Sequence, residues 1–271
     1  MAHDAGLTFL QTVNRPALIG MIHVGALPGT PRSTRSVGEL TMSAVGEAKI
    51  LAAGGVDAIM LENMHDVPFM NRRVGPEIVA AMTAICAAVR QAVALPLGVQ
   101  VLAGANCEAI AVAQAAACQF VRCEGFIFSH VADEGLMAEA DAGPLLRYRK
   151  MIGAEDVAIL ADVKKKHSSH AITADVDLAE TAKAACWFGA DGIVVTGTAT
   201  GQPTRPEDVA AVAKAVDRPV FVGSGVTPEN VATLAPHADA LIVGSYLKRD
   251  GHWENEPDPE RVAALVAAVG A

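Results

Sequence analysis

Eight short apolar runs recur along the chain, most separated by room for one helix. They are ALIGMIH (17–23), VDAIMLE (56–62), LGVQVL (97–102), QFVRCE (119–124), VAILADV (157–163), DGIVVTG (191–197), PVFVGSG (219–225) and DALIVGS (239–245). Runs that are apolar throughout, rather than at every second position, suit strands buried on both faces, as in a parallel sheet. Segments of helical character lie between them, near 39–53, 76–93, 106–117, 143–151, 175–188, 206–216 and 228–235. Thr227-Pro228 and Asp258-Pro259 read as helix starts, with a capping residue followed by proline at the first helical position. Gly54-Gly55 reads as a helix stop. Eight strand–helix repeats in 271 residues predict an α/β fold, a (β/α)8 barrel formed as a single domain over residues 1–271. An open doubly wound sheet is the competing arrangement, but the sequence after the first run, VGALPG, lacks its glycine fingerprint.

Composition narrows the function. Hydrophobic residues make up 52% and charged residues 19%, which supports a large core. The net charge of −9 and a single dense basic run, Lys164-Lys165-Lys166, argue against a nucleic-acid partner. Five cysteines without a C-x-x-C spacing argue against a disulfide framework, so a cytoplasmic location is expected. The apolar stretch at 78–89 is too short to span a bilayer, so no transmembrane segment is expected.

In such a barrel the active site lies at the C-terminal ends of the strands. The first six ends carry polar or charged residues, among them His23, Glu62, Asp162 and Thr196. The last two carry Gly223-Ser224-Gly225 and Gly244-Ser245. Loops after the seventh and eighth strands commonly bind phosphate, because glycines let backbone N–H groups converge on an anion. Gly197, Gly223, Ser224, Gly225, Gly244 and Ser245 are therefore the phosphate-binding candidates, with Thr198 beside them as a substrate contact. Alternatively, these glycines only relieve crowding at the rim. The run ADVKKKHSSH (161–170) is the densest polar cluster. Asp162, Lys164 and Lys166 share parity and would share a face if the strand persisted. A desolvated Lys166 could act as base or Schiff-base nucleophile beside His167, whereas Lys164 and Lys165 read as solvated loop charges. His23, Glu62 and Asp162 are candidate ligands of a divalent metal, with no compact ligand motif to fix the set.

Several segments together resemble the BtpA family: GMIHVGALPGTP (20–31), GGVDAIMLENMHDVPF (54–69), LGVQVLAGAN (97–106), DVKKKHS (162–168) and GADGIVVTGTATGQP (189–203). The resemblance runs from about Pro16 to Tyr246 and implies a barrel of the ribulose-phosphate-binding type. The family takes its name from a photosystem I biogenesis factor, and other members are linked to sugar or nucleoside metabolism. By motif it carries over His23, Glu62, Asn63, Asp66, Asn106, Asp162, Lys166 and His167 as polar site positions. Asn63, Asp66 and Asn106 are thereby substrate-binding candidates. The chain departs from the family at Gly104-Ala105-Asn106, where members often have arginine before asparagine, so no arginine contact is carried over there.

The expected function is that of an enzyme acting on a small phosphorylated sugar or nucleotide-like compound. Isomerisation, carbon–carbon lysis and glycosidic cleavage all remain open. Glu62, Asp162 and Lys166 would supply acid–base or covalent chemistry, helped by His23 and His167. The partners expected are that phosphorylated compound and further copies of the chain. The rival expectation is a non-catalytic assembly factor.

Overall fold

A computed structural model describes residues 5–197 and 203–270. Eight parallel strands close into a barrel in the order β1 (Ala17–His23), β11 (Ala240–Val243), β10 (Val220–Val222), β9 (Gly192–Val195), β7 (Ala158–Val163), β4 (Phe120–Cys123), β3 (Leu97–Gln100) and β2 (Ala58–Glu62). Each lies within the apolar run that announced it. The helices α1 (Val37–Gly54), α2 (Pro76–Ala92), α3 (Asn106–Ala116), α4 (Ala142–Met151), α5 (Leu178–Trp187), α6 (Pro206–Ala215), α7 (Val231–Leu234) and α8 (Pro259–Gly270) follow the strands in turn. Local chemistry sets their ends. Ser36 and Glu39 form a reciprocal capping box at the start of α1, and Gly55 closes it at φ +89°.

The two-residue period of the strands divides the core. Leu18, Ile22, Ile59, Leu61 and Val99 point outward and pack under the helices. Ile19, Met21, Met60, Phe120, Leu160, Val194, Phe221 and Ile242 point inward and fill the barrel. Large and small residues interlock there. A Cβ on Gly98 would stand 2.0 Å from the Phe120 ring, so glycine is required for that ring to cross the axis.

The N-terminal 3-10 segment Ala5–Thr12 was not legible as structure. Leu7 and Phe9 are buried with the barrel interior, and Phe9 meets Phe120 at 5.8 Å between ring centroids. The segment stoppers the N-terminal end of the barrel. The long connection after β4 holds the antiparallel hairpin β5 (His130–Ala132) and β6 (Gly135–Met137), joined by β8 (Ser168–Ser169) from the loop after β7. This small sheet roofs one side of the C-terminal mouth.

One expected helix is much shorter than read. Asn230 accepts a hydrogen bond from the Thr227 amide at 2.9 Å and donates to the Gly225 carbonyl at 2.7 Å. Residues 227–230 are thus held as a turn, and α7 spans only Val231–Leu234. Thr227-Pro228 does not start a helix. Among the described residues no helix is long and apolar enough to cross a membrane.

Candidate functional site

Along each barrel strand the inward positions end in a top layer at the mouth. His23, Glu62, Gln100, Arg122, Asp162, Thr196, Gly223 and Gly244 occupy it, two residues beyond the inward apolar layer. Above this layer opens a cavity of about 550 Å³. Glu62, Gln100, Glu124 and Lys166 line one side, and the Gly223–Thr227 and Gly244–Tyr246 loops line the other.

His23 is fixed from outside the barrel. Its Nδ1 lies 2.8 Å from the Trp253 carbonyl and donates to it, which leaves the Nε2 lone pair facing the mouth. The segment carrying Trp253 is anchored by Lys248, fully buried and paired with Glu47 of α1 at 2.6 Å. Burial, with the Lys248 charge, pushes His23 down to about 3, so the ring is neutral at physiological pH. Glu62 Oε2 lies 3.9 Å from His23 Nε2. Burial pushes the Glu62 carboxyl up, against the pull of Arg122 and Lys166. Burial thus makes the carboxyl the more readily protonated of the two and leaves the neutral His23 as a hydrogen-bond acceptor at Nε2.

Asp162 is placed differently from expectation. It lies on the inward face of β7 but receives two hydrogen bonds from Arg122, Nε at 2.8 Å and Nη2 at 3.0 Å. Burial alone would weaken the guanidinium charge, but Asp162 outweighs it and raises Arg122. Asp162 does not line the cavity; it holds Arg122, which does. The metal triad is corrected for the same reason. The Arg122 fork occupies the carboxylate a metal would need, and among the described residues no three His, Cys, Asp or Glu side chains converge on a metal position.

The lysine run is resolved by one backbone angle. β7 ends at Val163, and Lys164 turns at φ +47°, so the parity argument fails beyond Asp162. Lys164 Nζ bonds the Thr173 carbonyl at 3.1 Å. Lys165, read as a solvated charge, is buried between Glu124 at 3.1 Å and Glu134 at 3.8 Å, and these carboxylates overcome burial to keep it protonated. Lys166 faces the cavity, its amide donating to Thr196 Oγ1 at 3.1 Å. Among the described residues its ammonium has no carboxylate within 4.0 Å. Burial, then the Arg122 charge, lowers its pKa. His167 is exposed at the rim, 4.0 Å from Asp133.

Asn63, Asp66 and Asn106 do not line the cavity. Asn63 accepts from the Leu102 amide and donates to Asp66, which accepts from the Leu27 amide. Asn106 donates to the Glu124 carbonyl and to Asp141. All three brace loops.

The phosphate candidates divide as well. A Cβ on Gly244 would meet the His23 ring at 2.9 Å, and one on Gly223 would meet Val194 at 2.6 Å and Arg122 at 3.2 Å. Those two glycines make room for neighbours. The Gly197 amide donates to Ser224 Oγ, tying two loops together. Gly225 turns at φ +68°. No acceptor among the described residues takes the amides of Gly225, Val226, Ser245 or Tyr246. Arg261, in the first turn of α8, joins them. Its Nε donates to the Tyr246 carbonyl, its guanidinium lies 4.3 Å from the centre of the Tyr246 ring, and it lines the cavity. The sequence carried a signal for it: first turns of barrel helices lie at the same rim as the strand ends. Thr198 lies outside the described residues.

Among the described residues three buried acceptors at the mouth have no hydrogen-bond donor: Gln100 Oε1, Glu124 Oε2 and Glu134 Oε2, the last 3.8 Å from Lys165 Nζ. Gln100 and Glu124 were visible at strand ends. Glu134 arrives on the hairpin, whose three-residue strands are too short to show a period.

A Caenorhabditis elegans protein named as uncharacterized and mitochondrial is 42% identical over 96% of this chain and 95% of its own. The photosystem I biogenesis protein BtpA of Synechocystis is 38% identical over 93% of this chain and 87% of its own. Among solved structures, (S)-3-O-geranylgeranylglyceryl phosphate synthase from Thermoplasma acidophilum, in complex with sn-glycerol-1-phosphate, aligns over 99% of both chains at TM-score 0.62 and 15% identity. Phosphoribosyl anthranilate isomerase from Thermus thermophilus aligns over 94% of this chain and 98% of its own at TM-score 0.56 and 16% identity. At those identities the two structures speak for the barrel alone. The BtpA family profile matches residues 14–271, and the chain belongs to the BtpA family.

Proposed function

We propose that the protein is an enzyme acting on a small phosphorylated polyol, with its phosphate at the loops after β10 and β11. The observation that carries this reading is the division of one cavity into a donor side and an acceptor side. Four amides without acceptors among the described residues and the Arg261 guanidinium form the donor side. A phosphate supplies acceptor oxygens to such a set and gains strength from its charge. Gln100, Glu124 and Glu134 form the acceptor side, and hydroxyl groups supply the hydrogen-bond donors that these three oxygens lack among the described residues. The names of the structural neighbours, which include phosphorylated compounds, agree with this reading.

Between the two sides stand Lys166, Glu62 and His23. Lys166, lowered in pKa and with no carboxylate within 4.0 Å among the described residues, can take a proton or attack a carbonyl carbon. Glu62 can give or accept a proton at a neighbouring oxygen, and the neutral His23 can accept a hydrogen bond there at Nε2. Arg122, held by Asp162, offers a fixed positive charge for a developing oxyanion.

Calorimetric titration with phosphorylated polyols and their dephosphorylated counterparts tests the assignment. The phosphorylated forms should bind the parent more tightly, and Arg261→Ala should remove about ten- to a hundredfold of that affinity, the worth of a charge-assisted hydrogen bond. Equal affinity for both forms would overturn it. For the catalytic part, borohydride with a bound carbonyl compound should fix an adduct on Lys166 if it forms a Schiff base. If it acts as a base, Lys166→Ala should lose turnover and keep binding. The Synechocystis relative's name supports a second reading, an assembly factor, which requires Lys166→Ala to leave biological function unchanged.

A further inference from the structure

The cavity has a third face that neither phosphate nor hydroxyl groups explain. The loop after β2 contributes Met64, Val67, Pro68 and Phe69, and the loop after β3 contributes Leu102. In the barrel order β3 lies across the mouth from β10, with β2 beside it, so this apolar wall faces the Gly223–Thr227 loop across the cavity. The Asn63–Asp66 brace gives the wall its shape. Asn63 Oδ1 accepts from the Leu102 amide at 2.7 Å, joining the two loops that form it, and Asp66 ties the same loop to Leu27 at 2.8 Å.

Resting on the phosphate reading above, we propose that the substrate is a phosphorylated polyol carrying a planar heteroaromatic ring, and that the ring lies on this wall. An apolar face on a polar cavity has a use only if the ligand brings apolar surface to it. Phenylalanine and methionine favour a flat aromatic partner, through offset stacking and sulfur–ring contact. The edge of the wall rules against a plain alkyl chain. Gln100 Oε1, buried and without a donor among the described residues, borders it at the end of β3, next in the barrel to the strand that leads into Phe69. A hydrocarbon would leave that oxygen unpaired, whereas a heterocycle N–H or the attached hydroxyls satisfy it. The cavity volume of about 550 Å³ holds a phosphate, a polyol and a ring together.

The test is a calorimetric comparison of ribose 5-phosphate, the four common ribonucleoside 5′-monophosphates and the matching nucleosides, on the parent and on Phe69→Ala. At least one monophosphate should bind the parent about tenfold more tightly than ribose 5-phosphate, the scale of one good aromatic contact with its buried area. Phe69→Ala should cut that advantage below about threefold and leave ribose 5-phosphate within about twofold of the parent. If no monophosphate exceeds ribose 5-phosphate, or if Phe69→Ala keeps the advantage, the ring subsite is overturned while the phosphate reading stands. If nucleosides bind as tightly as monophosphates, the phosphate reading fails and the ring subsite stands. If none of the probes binds, both fall.

Discussion

The Arg122–Asp162 pair gives the sharpest test of how the mouth is built. Its side chains are 5% and 1% exposed, and two hydrogen bonds of 2.8 and 3.0 Å join them. Removing one member of such a pair costs about 3–5 kcal/mol, because the other charge remains buried without its partner. The two single changes are not equivalent here. Asp162→Leu leaves Arg122 with the attraction of Glu62 and Glu124. Arg122→Met leaves Asp162 buried beside those same two carboxylates, with its two hydrogen bonds lost and only the Lys165 and Lys166 charges, beyond ion-pair contact, to offset them. Asp162→Leu should therefore fall near the lower figure and Arg122→Met near the upper one. For a chain of this size, about 3 kcal/mol corresponds to a fall in Tm of about 6–12 °C. The double variant should be more stable than Arg122→Met, with a coupling of about 2 kcal/mol, since it removes the stranded charge. Acid should also rescue Arg122→Met. Glu62 and Glu124, already raised by burial, lose the lowering pull of Arg122, so the penalty for keeping them charged grows at pH 7 and is relieved as pH falls. Urea denaturation of the four proteins at pH 7 and pH 5 measures all of this. Equal costs for the singles, or a cost below about 1 kcal/mol for Arg122→Met, would refute the reasoning.

Three further outcomes follow from other parts of the molecule. His23 is lowered to about 3 from 6.5, so the unfolded chain binds a proton in this interval that the folded chain does not; stability should fall as pH drops from 6.5, and His23→Gln should flatten that slope by up to about 1.4 kcal/mol per pH unit, read by urea titration. Gly244→Ala should displace the His23 ring, whose atoms stand 2.9 Å from the new Cβ, and cost about 1–3 kcal/mol; an unshifted His23 imidazole resonance in NMR would contradict it. Phe9→Ala should destabilise the barrel by about 3–5 kcal/mol if the N-terminal stopper belongs to the core, and a change below about 1 kcal/mol would show that it does not.

The barrel and its top layer were readable because parity carries from the buried run to the strand end. His23 and Glu62 follow from that rule alone. Asn63, Asp66 and Asn106 were misplaced because a polar residue beside a strand end has two uses, facing the ligand or satisfying loop amides, and spacing does not separate them. Lys166 faces the cavity as expected, but Lys165 was misread as a solvated charge because the end of β7 depends on the turn at Lys164, which no composition signal marks. Glu134 reaches the cavity on a short hairpin, a long-range consequence of the fold, whereas Arg261 was within reach of the rule that first helical turns share the rim with the strand ends.

The turn at Lys164 also means that three identical neighbours have three different destinations: a carbonyl, a carboxylate cage and the open cavity. Their chemistry is the same, so their assignment is purely positional, like digits whose value depends on their column. Deleting one lysine from the run would scarcely alter the chain's composition. It would nevertheless move every later residue of the loop up by one column, sending His167 to the place where the cavity now holds an amine. In this segment the length of the connection is itself a functional quantity, and an insertion or deletion of one residue is a more drastic change than many substitutions.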